Sequence, residues 1–220
     1  MTALRALLFD LDGTLIDTAP EIAEALNRTL RWLGRPPASA AQVRGWIGDG
    51  ARALVDKALG EPCSDAVWAH FSFEYADCCG RSSQLYPGTL DMLERLHAKG
   101  VQLVVLTNKE SAFAHKLLAL HGVTGCFDLL VAGDSLPFKK PDPRVVAHVL
   151  DALQLSADEA AFVGDSVTDV RTARAAGLRA WIVRHGYPGG TFTGADAPDA
   201  FIDSFERFDP LDVALLQPID

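Results

Sequence analysis

The chain has 220 residues, 49% hydrophobic and 22% charged, with 20 Lys plus Arg against 29 Asp plus Glu for a formal charge of −9. That length buries a full core in one large or two modest globular domains, and the acidic balance argues against nucleic acid, whose binders need a basic face to displace counterions. No stretch approaches the roughly 20 apolar residues of a membrane span, and the first apolar run, residues 4–9, is too short for a signal peptide and ends in acids, so a cytoplasmic chain with no membrane partner is expected.

In chain order, residues 4–9 read as a strand buried on both faces, a short apolar run without alternation. From 17 to 82 no β run follows. Instead Thr18-Ala-Pro-Glu21 and Ser39-Ala-Ala-Gln42 fit capping boxes, in which first and fourth residues satisfy each other's backbone amides. An all-α helical insert is expected there, with turn chemistry near 16–18 and 81–87. Beyond it, helices over 88–99, 111–121, 142–153 and 167–176 alternate with strands over 101–106, 129–132, 161–163 and 180–183. Gly100, Gly122 and Gly177 close three of these helices, and Asp142-Pro143 opens another. Strand–helix alternation implies an α/β fold, a doubly wound, Rossmann-like parallel sheet. Its core would comprise 1–16 and 83–220. Cys63, Cys78, Cys79 and Cys126 lack metal or redox spacing and are expected as reduced thiols.

Ligands of an open parallel sheet bind beyond the carboxyl ends of its strands. There the sequence places Asp10-Leu-Asp12-Gly13-Thr14, Thr107-Asn108-Lys109, Lys139-Lys140-Pro141 and Gly164-Asp165-Ser166 with Asp169. Taken alone the first of these has a plain alternative as a turn. Yet acids gathered at one strand end repel one another unless a cation neutralises them. Asp10, Asp12, Asp165 and Asp169 together imply Mg²⁺, a hard cation that takes carboxylates and a phosphate oxygen. Asp10, directly ending a strand, is the candidate nucleophile toward phosphorus. Asp12 is the candidate acid and base. Thr14, Thr107 and Asn108 offer donors to phosphoryl oxygens, and Lys140 offers fixed positive charge.

These four motifs, in this order, resemble those of the haloacid dehalogenase superfamily of phosphatases, with the helical insert at 17–82 in the place of the small cap that sets substrate specificity. The resemblance implies that Asp10 is phosphorylated, that Asp12 is acid and base and lends its backbone carbonyl to Mg²⁺, and that Asp165 and Asp169 bind or orient the metal. It also places Gly13 in the phosphate-binding loop. The pair Asp10 and Asp12 argues for a phosphatase or phosphomutase over a dehalogenase. Within the insert, Trp46-Ile-Gly48-Asp-Gly50-Ala-Arg52 is similar to the bacterial phosphoglycolate phosphatases, although Asp49 stands where Asn is usual and Glu110 where Pro or Ser is common. Gly48 and Gly50 before a helix, beside Arg52, suit a small carboxylate, with Asp49 expected to point away or cap the helix.

A small phosphorylated metabolite is therefore the expected partner, 2-phosphoglycolate foremost. A sugar phosphate, pyrophosphate or a phosphomutase reaction stays open, and a receiver-like signalling domain is the distant alternative. Lys109, Lys139 and Arg52 each have a plain reading as solvated charges. Ser166 lacks the GxSxG context of a nucleophile. Of the six histidines only His185 follows a strand closely enough to approach the site, and Trp46 is the aromatic expected to border the pocket.

Overall fold

Ala6–Phe9 (β1) is buried end to end because its alternate side chains serve two cores. Leu7 and Phe9 join one apolar cluster, Ala6 and Leu8 another. The structure, a computed structural model, describes residues 3–211. Along the chain β1 is followed by Ile16–Asp17 (β2) and four helices, Ala19–Trp32 (α1), Ala40–Trp46 (α2), Ala51–Leu59 (α3) and Asp65–Cys78 (α4). Then come Gln84–Leu85 (β3), Thr89–Ala98 (α5), Gln102–Leu106 (β4), Ser111–Leu120 (α6), Leu129–Val131 (β5) and Arg144–Leu153 (α7). Ala160–Gly164 (β6), Val167–Ala175 (α8), Arg179–Val183 (β7) and Ala200–Ile202 (β8) complete the strands and α-helices of the described residues, with short 3-10 turns at Thr124–Cys126, Ala157–Glu159 and Gly194–Asp196.

Six strands form one parallel sheet in the order β5-β4-β1-β6-β7-β8. The division of side chains seen in β1 recurs across it: Leu103, Val105, Val163 and Trp181 face one cluster, and Val104, Phe162 and Ile182 the other. Helices α5 and α6 supply Leu93, Leu96 and Leu117 to the first, while α7 and α8 supply Val146, Val149 and Val170 to the second. The sheet is thus covered on both faces, the doubly wound arrangement that unalternating apolar strands require. Burying each such Leu or Val contributes about 1.5–3 kcal/mol. Because β4 flanks β1 on one side and β6 on the other, the strand order reverses beside β1, where a crevice opens at the carboxyl ends.

Helices α1 and α4 pack through Ile22, Leu26 and Leu30 on one and Phe71, Tyr75 and Cys78 on the other, at the spacing of a single helical face. Their contacts continue the first cluster of the sheet. The two ends of this helical segment run side by side, because β2 and β3 pair antiparallel, Ile16 opposite Leu85 and Asp17 opposite Gln84.

All five expected strands are present, with helix ends displaced by a residue or two. The three-residue β8 and the β2–β3 pair are additions, too short to carry a periodic signal of their own. One expectation is corrected. Thr18 makes no side-chain cap to α1: its hydroxyl donates to Asp12 Oδ1 at 2.7 Å, and Glu21 accepts instead from the Tyr75 hydroxyl and the Gly80 N–H. Tertiary partners have displaced the local ones. The box at Ser39 and Gln42 forms in both halves. All four cysteines are free, and among the described residues no helix is long and apolar enough to cross a membrane.

Candidate active site

The turn after β1 is shaped by what surrounds it. Gly13 has φ +85°, and a Cβ there would lie 2.3 Å from Asp165 Oδ2 and 2.7 Å from the Tyr187 ring, so only glycine fits. Behind the turn, Thr14 donates to Asp165 Oδ1 at 2.9 Å and the Tyr187 N–H donates to Asp165 Oδ2 at 2.6 Å. His185 Nε2 meets the Thr14 carbonyl at 3.0 Å while its ring lies 3.8 Å from that of Tyr86. Burial lowers the His185 pKa, which favours the neutral ring in this buttressing role.

Asp10, Asp165 and Asp169 are buried and bring one carboxylate oxygen each within 4.8 Å of the others. Lys140, 1% exposed at its side chain, sets Nζ 2.7 Å from Asp169 Oδ1 and 2.9 Å from Asp10 Oδ1. The Asp10 contact is an ion pair outside hydrogen-bonding angles, so Asp10 Oδ1 has no donor. Burial pushes the Asp10 pKa up to about 6, opposed by Lys140 and reinforced by Asp169 and Asp12. Asp165 is driven well above the carboxylate range, by burial first and then by Asp169 and Asp10. Burial also opposes the charge on Lys140, yet Asp10 and Asp169 hold its pKa above the ordinary lysine value. Three buried acids around one lysine leave negative charge in excess, and the all-oxygen donor set with an orphaned Asp10 oxygen fits a hard divalent cation.

Asp12 belongs to a different pair. Its two oxygens accept from Lys109 Nζ at 2.9 and 3.0 Å, and Lys109 lies 4.7 Å from the Tyr75 ring centroid. Above this pair opens a cavity with two kinds of wall. Asp10, Asp12, Thr107, Asn108, Lys109 and Glu110 line the sheet side. Ile22, Ile47, Leu54, Phe71 and Tyr75 line the helical side, with the backbone of Gly48 and Gly50 between.

A family model of haloacid dehalogenase-like hydrolases matches residues 4–177. The chain belongs to this family. Among its relatives, this hydrolase is 42% identical over 213 residues to the plasmid-borne phosphoglycolate phosphatase of Cupriavidus necator, covering 94% of this chain and 92% of that one. It is 38% identical to phosphoglycolate phosphatase 1 of Pseudomonas aeruginosa, over 94% of this chain and 79% of the relative. A crystal structure of a predicted phosphoglycolate phosphatase from Haemophilus somnus superposes with TM-score 0.84 at 30% identity, covering 94% of this chain and 96% of that one.

Of the residues singled out in the sequence, the hydrolase gathers Asp10, Asp12, Thr107, Asn108, Gly48 and Gly50 around the cavity, with Lys140, Asp165 and Asp169 at its sheet end. Several do other work than expected. Thr14 donates to Asp165 rather than into the cavity. The Asn108 amide donates to the carbonyls of Gly48 and Lys140 at 3.0 and 3.1 Å. Asp169 Oδ2 accepts from the N–H groups of Asp165 and Ser166 and from the Ser166 hydroxyl, so this acid also fixes its own loop. The Asp12 carboxylate stands with Lys109, outside the three-acid cluster.

Arg52 turns away from the cavity, pairing with Asp65 at 2.8 Å and lying over the Trp68 ring. Trp46 does not line the cavity, whereas its neighbour Ile47 does. Asp49 points to Lys57 and Thr168, at 2.7 and 2.8 Å. Lys109, Glu110 and Tyr75 are the cavity residues that sequence reasoning undervalued. Lys109 was exposed to detection by its strand-end position, and Phe71 and Tyr75 by aromatic spacing on one helix face, a pattern shared with ordinary packing.

Proposed function

We propose that this hydrolase is a Mg²⁺-dependent phosphatase that cleaves 2-phosphoglycolate through a phosphoryl intermediate on Asp10, with residues 17–82 acting as a cap over the catalytic core. The observation that carries the reaction is the separate pairing of the two acids of one turn, Asp10 with Lys140 in the three-acid cluster and Asp12 with Lys109 at the cavity. Asp10, Asp165 and Asp169 would hold the Mg²⁺, with the Asp12 carbonyl as a further ligand implied by the family. The ion supplies charge neutralisation for the phosphoryl oxygens and the attacking carboxylate.

A carboxylate oxygen of Asp10 attacks phosphorus, the ester P–O bond breaks, and the leaving oxygen takes a proton from Asp12. Lys109, bonded to both Asp12 oxygens, fixes that carboxyl relative to the leaving group. A water then attacks the phosphorus, gives its proton to Asp12, and the bond to Asp10 breaks to release phosphate. Lys140 stabilises the charge on Asp10 as it is restored. The Thr107 hydroxyl, which accepts from the Lys109 N–H, keeps its own hydrogen for a phosphoryl oxygen.

The substrate assignment is supported by the relatives' identity across almost the whole chain and by a small, largely apolar cavity bordered by the first turn of α3, whose amides suit a carboxylate. The pairing of Arg52 with Asp65 favours a second reading, a phosphatase for another small ester. Free cysteines suit the reducing cytoplasm.

The deciding experiment is Mg²⁺-dependent phosphate release across a panel of small phosphomonoesters, with Asp10→Asn as the blank. The expected outcome is a kcat/KM for 2-phosphoglycolate above all others and a loss of about 10³-fold or more in the variant. Preference for a different ester transfers the substrate assignment to it, and wild-type turnover by Asp10→Asn removes Asp10 as nucleophile.

A further inference from the structure

The carboxyl group of Asp12 is oriented chiefly by one side chain. The Thr18 hydroxyl donates to Asp12 Oδ1 alone, whereas Lys109 Nζ donates to both oxygens, at 2.9 and 3.0 Å, and so sets the orientation of the carboxyl group. Lys109 is itself long and flexible, and its charge is buried, the side chain 3% exposed. Such a charge is destabilising unless its surroundings compensate it. Asp12 meets one side of the ammonium. The Tyr75 ring meets another, its centroid 4.7 Å from Nζ, a distance at which an ammonium is attracted to the negative face of an aromatic ring.

Three neighbours orient that ring. Its hydroxyl donates to Glu21 Oε1 at 3.2 Å, and the second oxygen of Glu21 accepts from the Gly80 N–H at 2.8 Å. Phe71 stacks on it at a centroid distance of 5.9 Å, and Phe113 stands across it at 4.7 Å and 70°. Tyr75, Phe71 and Glu21 belong to the inserted helices, whereas Asp12 and Lys109 follow β1 and β4 of the sheet. The contact therefore crosses from the apolar wall of the cavity to the polar one.

We propose that Tyr75 is a positioning residue of this hydrolase, whose ring face holds the Lys109 ammonium against Asp12. The acid and base is then set to protonate the leaving oxygen only while α4 lies against the sheet. The inference rests on the role given to Asp12 in the proposed reaction and adds to it the helical residue that completes the acid. Tyr75 takes no part in bond making and acts through Lys109.

The test uses the full chain with Mg²⁺ and two small esters, 2-phosphoglycolate and acetyl phosphate. The alkoxide leaving group of the first needs a proton, whereas acetate departs without one, and kcat/KM reports the transfer to Asp10 in each case. Tyr75→Leu removes the ring face, and Tyr75→Phe keeps it without the hydroxyl, with thermal melting to verify folding. Tyr75→Leu is expected to lower kcat/KM about tenfold or more for 2-phosphoglycolate and less than about threefold for acetyl phosphate. Tyr75→Phe is expected to stay within about threefold of the wild type on both. In a Lys109→Met background the Leu substitution is expected to lower 2-phosphoglycolate turnover by less than about a further threefold, because the two side chains act as a unit. Equal losses on both esters reduce Tyr75 to packing and overturn the proposal, as do an unchanged Tyr75→Leu and an undiminished effect in the Lys109→Met background. A wild type that cleaves acetyl phosphate but not 2-phosphoglycolate removes the substrate reading itself, before any variant is made, and the comparison then stands on the alkyl ester that the panel prefers.

Discussion

At the scale of single residues, two lysines divide the acids of one turn. Lys140 lies between Asp10 and Asp169, and Lys109 grips Asp12. The first group carries surplus negative charge, which has a consequence for stability. In the metal-free protein the Asp10 pKa stands at about 6 against an ordinary 3.8, so the folded state binds a proton that the unfolded state does not between those values, and stability falls as pH rises through that window. A divalent cation reverses the penalty only where the acids are ionised. Mg²⁺ is therefore expected to raise the melting temperature at pH 7.5 and to do little at pH 4.5. Equal stabilisation at both values, measured by thermal melting, would contradict the assignment of the cluster. Asp10 and Asp12 were legible in the sequence because motif and strand end lie within a few residues of each other, and Lys140, further beyond β5, through the Lys-Pro pair that the resemblance matches. The burial of Lys109 was not, because it depends on Asp12 and Tyr75, brought from two other parts of the chain.

At the scale of elements, the loop before α3 is held to the sheet from three directions. Asn108 donates to the Gly48 carbonyl, Lys139 to the Asp49 carbonyl and Thr168 to Asp49 Oδ1. Gly50, at φ +95°, lets the loop approach closely, since a Cβ would stand 3.1 Å from Lys139 Nζ and 3.3 Å from the Asn108 carbonyl oxygen. Thr168→Val removes one of these ties, worth about 1 kcal/mol. A rise in KM of about fivefold with faster amide exchange over 47–52 is the expected result, and unchanged exchange there would show that the tie does not hold the loop. Ser39→Ala provides the contrast. It breaks a capping box remote from the cavity and should cost about 1 kcal/mol in stability with no change in KM, as denaturant melts and steady-state assays would reveal. The same contrast explains what could be read in advance. The Ser39 box is exposed and uses only its own turn, so the sequence sufficed. At Thr18 and Glu21 the local pattern was equally good, but Asp12, Tyr75 and Gly80 offered buried partners that no local pattern contains.

At the scale of the whole molecule, the polar wall of the cavity comes from the sheet and the apolar wall from the inserted helices. On the proposed reading chemistry and enclosure come from different stretches of chain, and water would be excluded as the two meet. On the same reading substrate would enter as the two part, with the antiparallel β2–β3 pair as the joint. Hydrogen exchange is expected to be faster at 16–18 and 82–86 than in β1 and β6, and to slow on adding Mg²⁺ with an inert phosphate analogue. Linkers as protected as the central strands in both states would rule out a hinge there. The alternation of strands and helices made the sheet readable because each strand is buried on both faces, whereas β8 gains its place through its edge pairing with β7. The pairing of Ile16 with Leu85 has one more consequence. Entry and exit of the helical segment abut, so the sheet scarcely registers how much chain is strung between them. A lineage can lengthen, shorten or exchange that segment while inheriting the reaction unaltered, and a laboratory graft of a foreign lid would need to match only the spacing of those two strands.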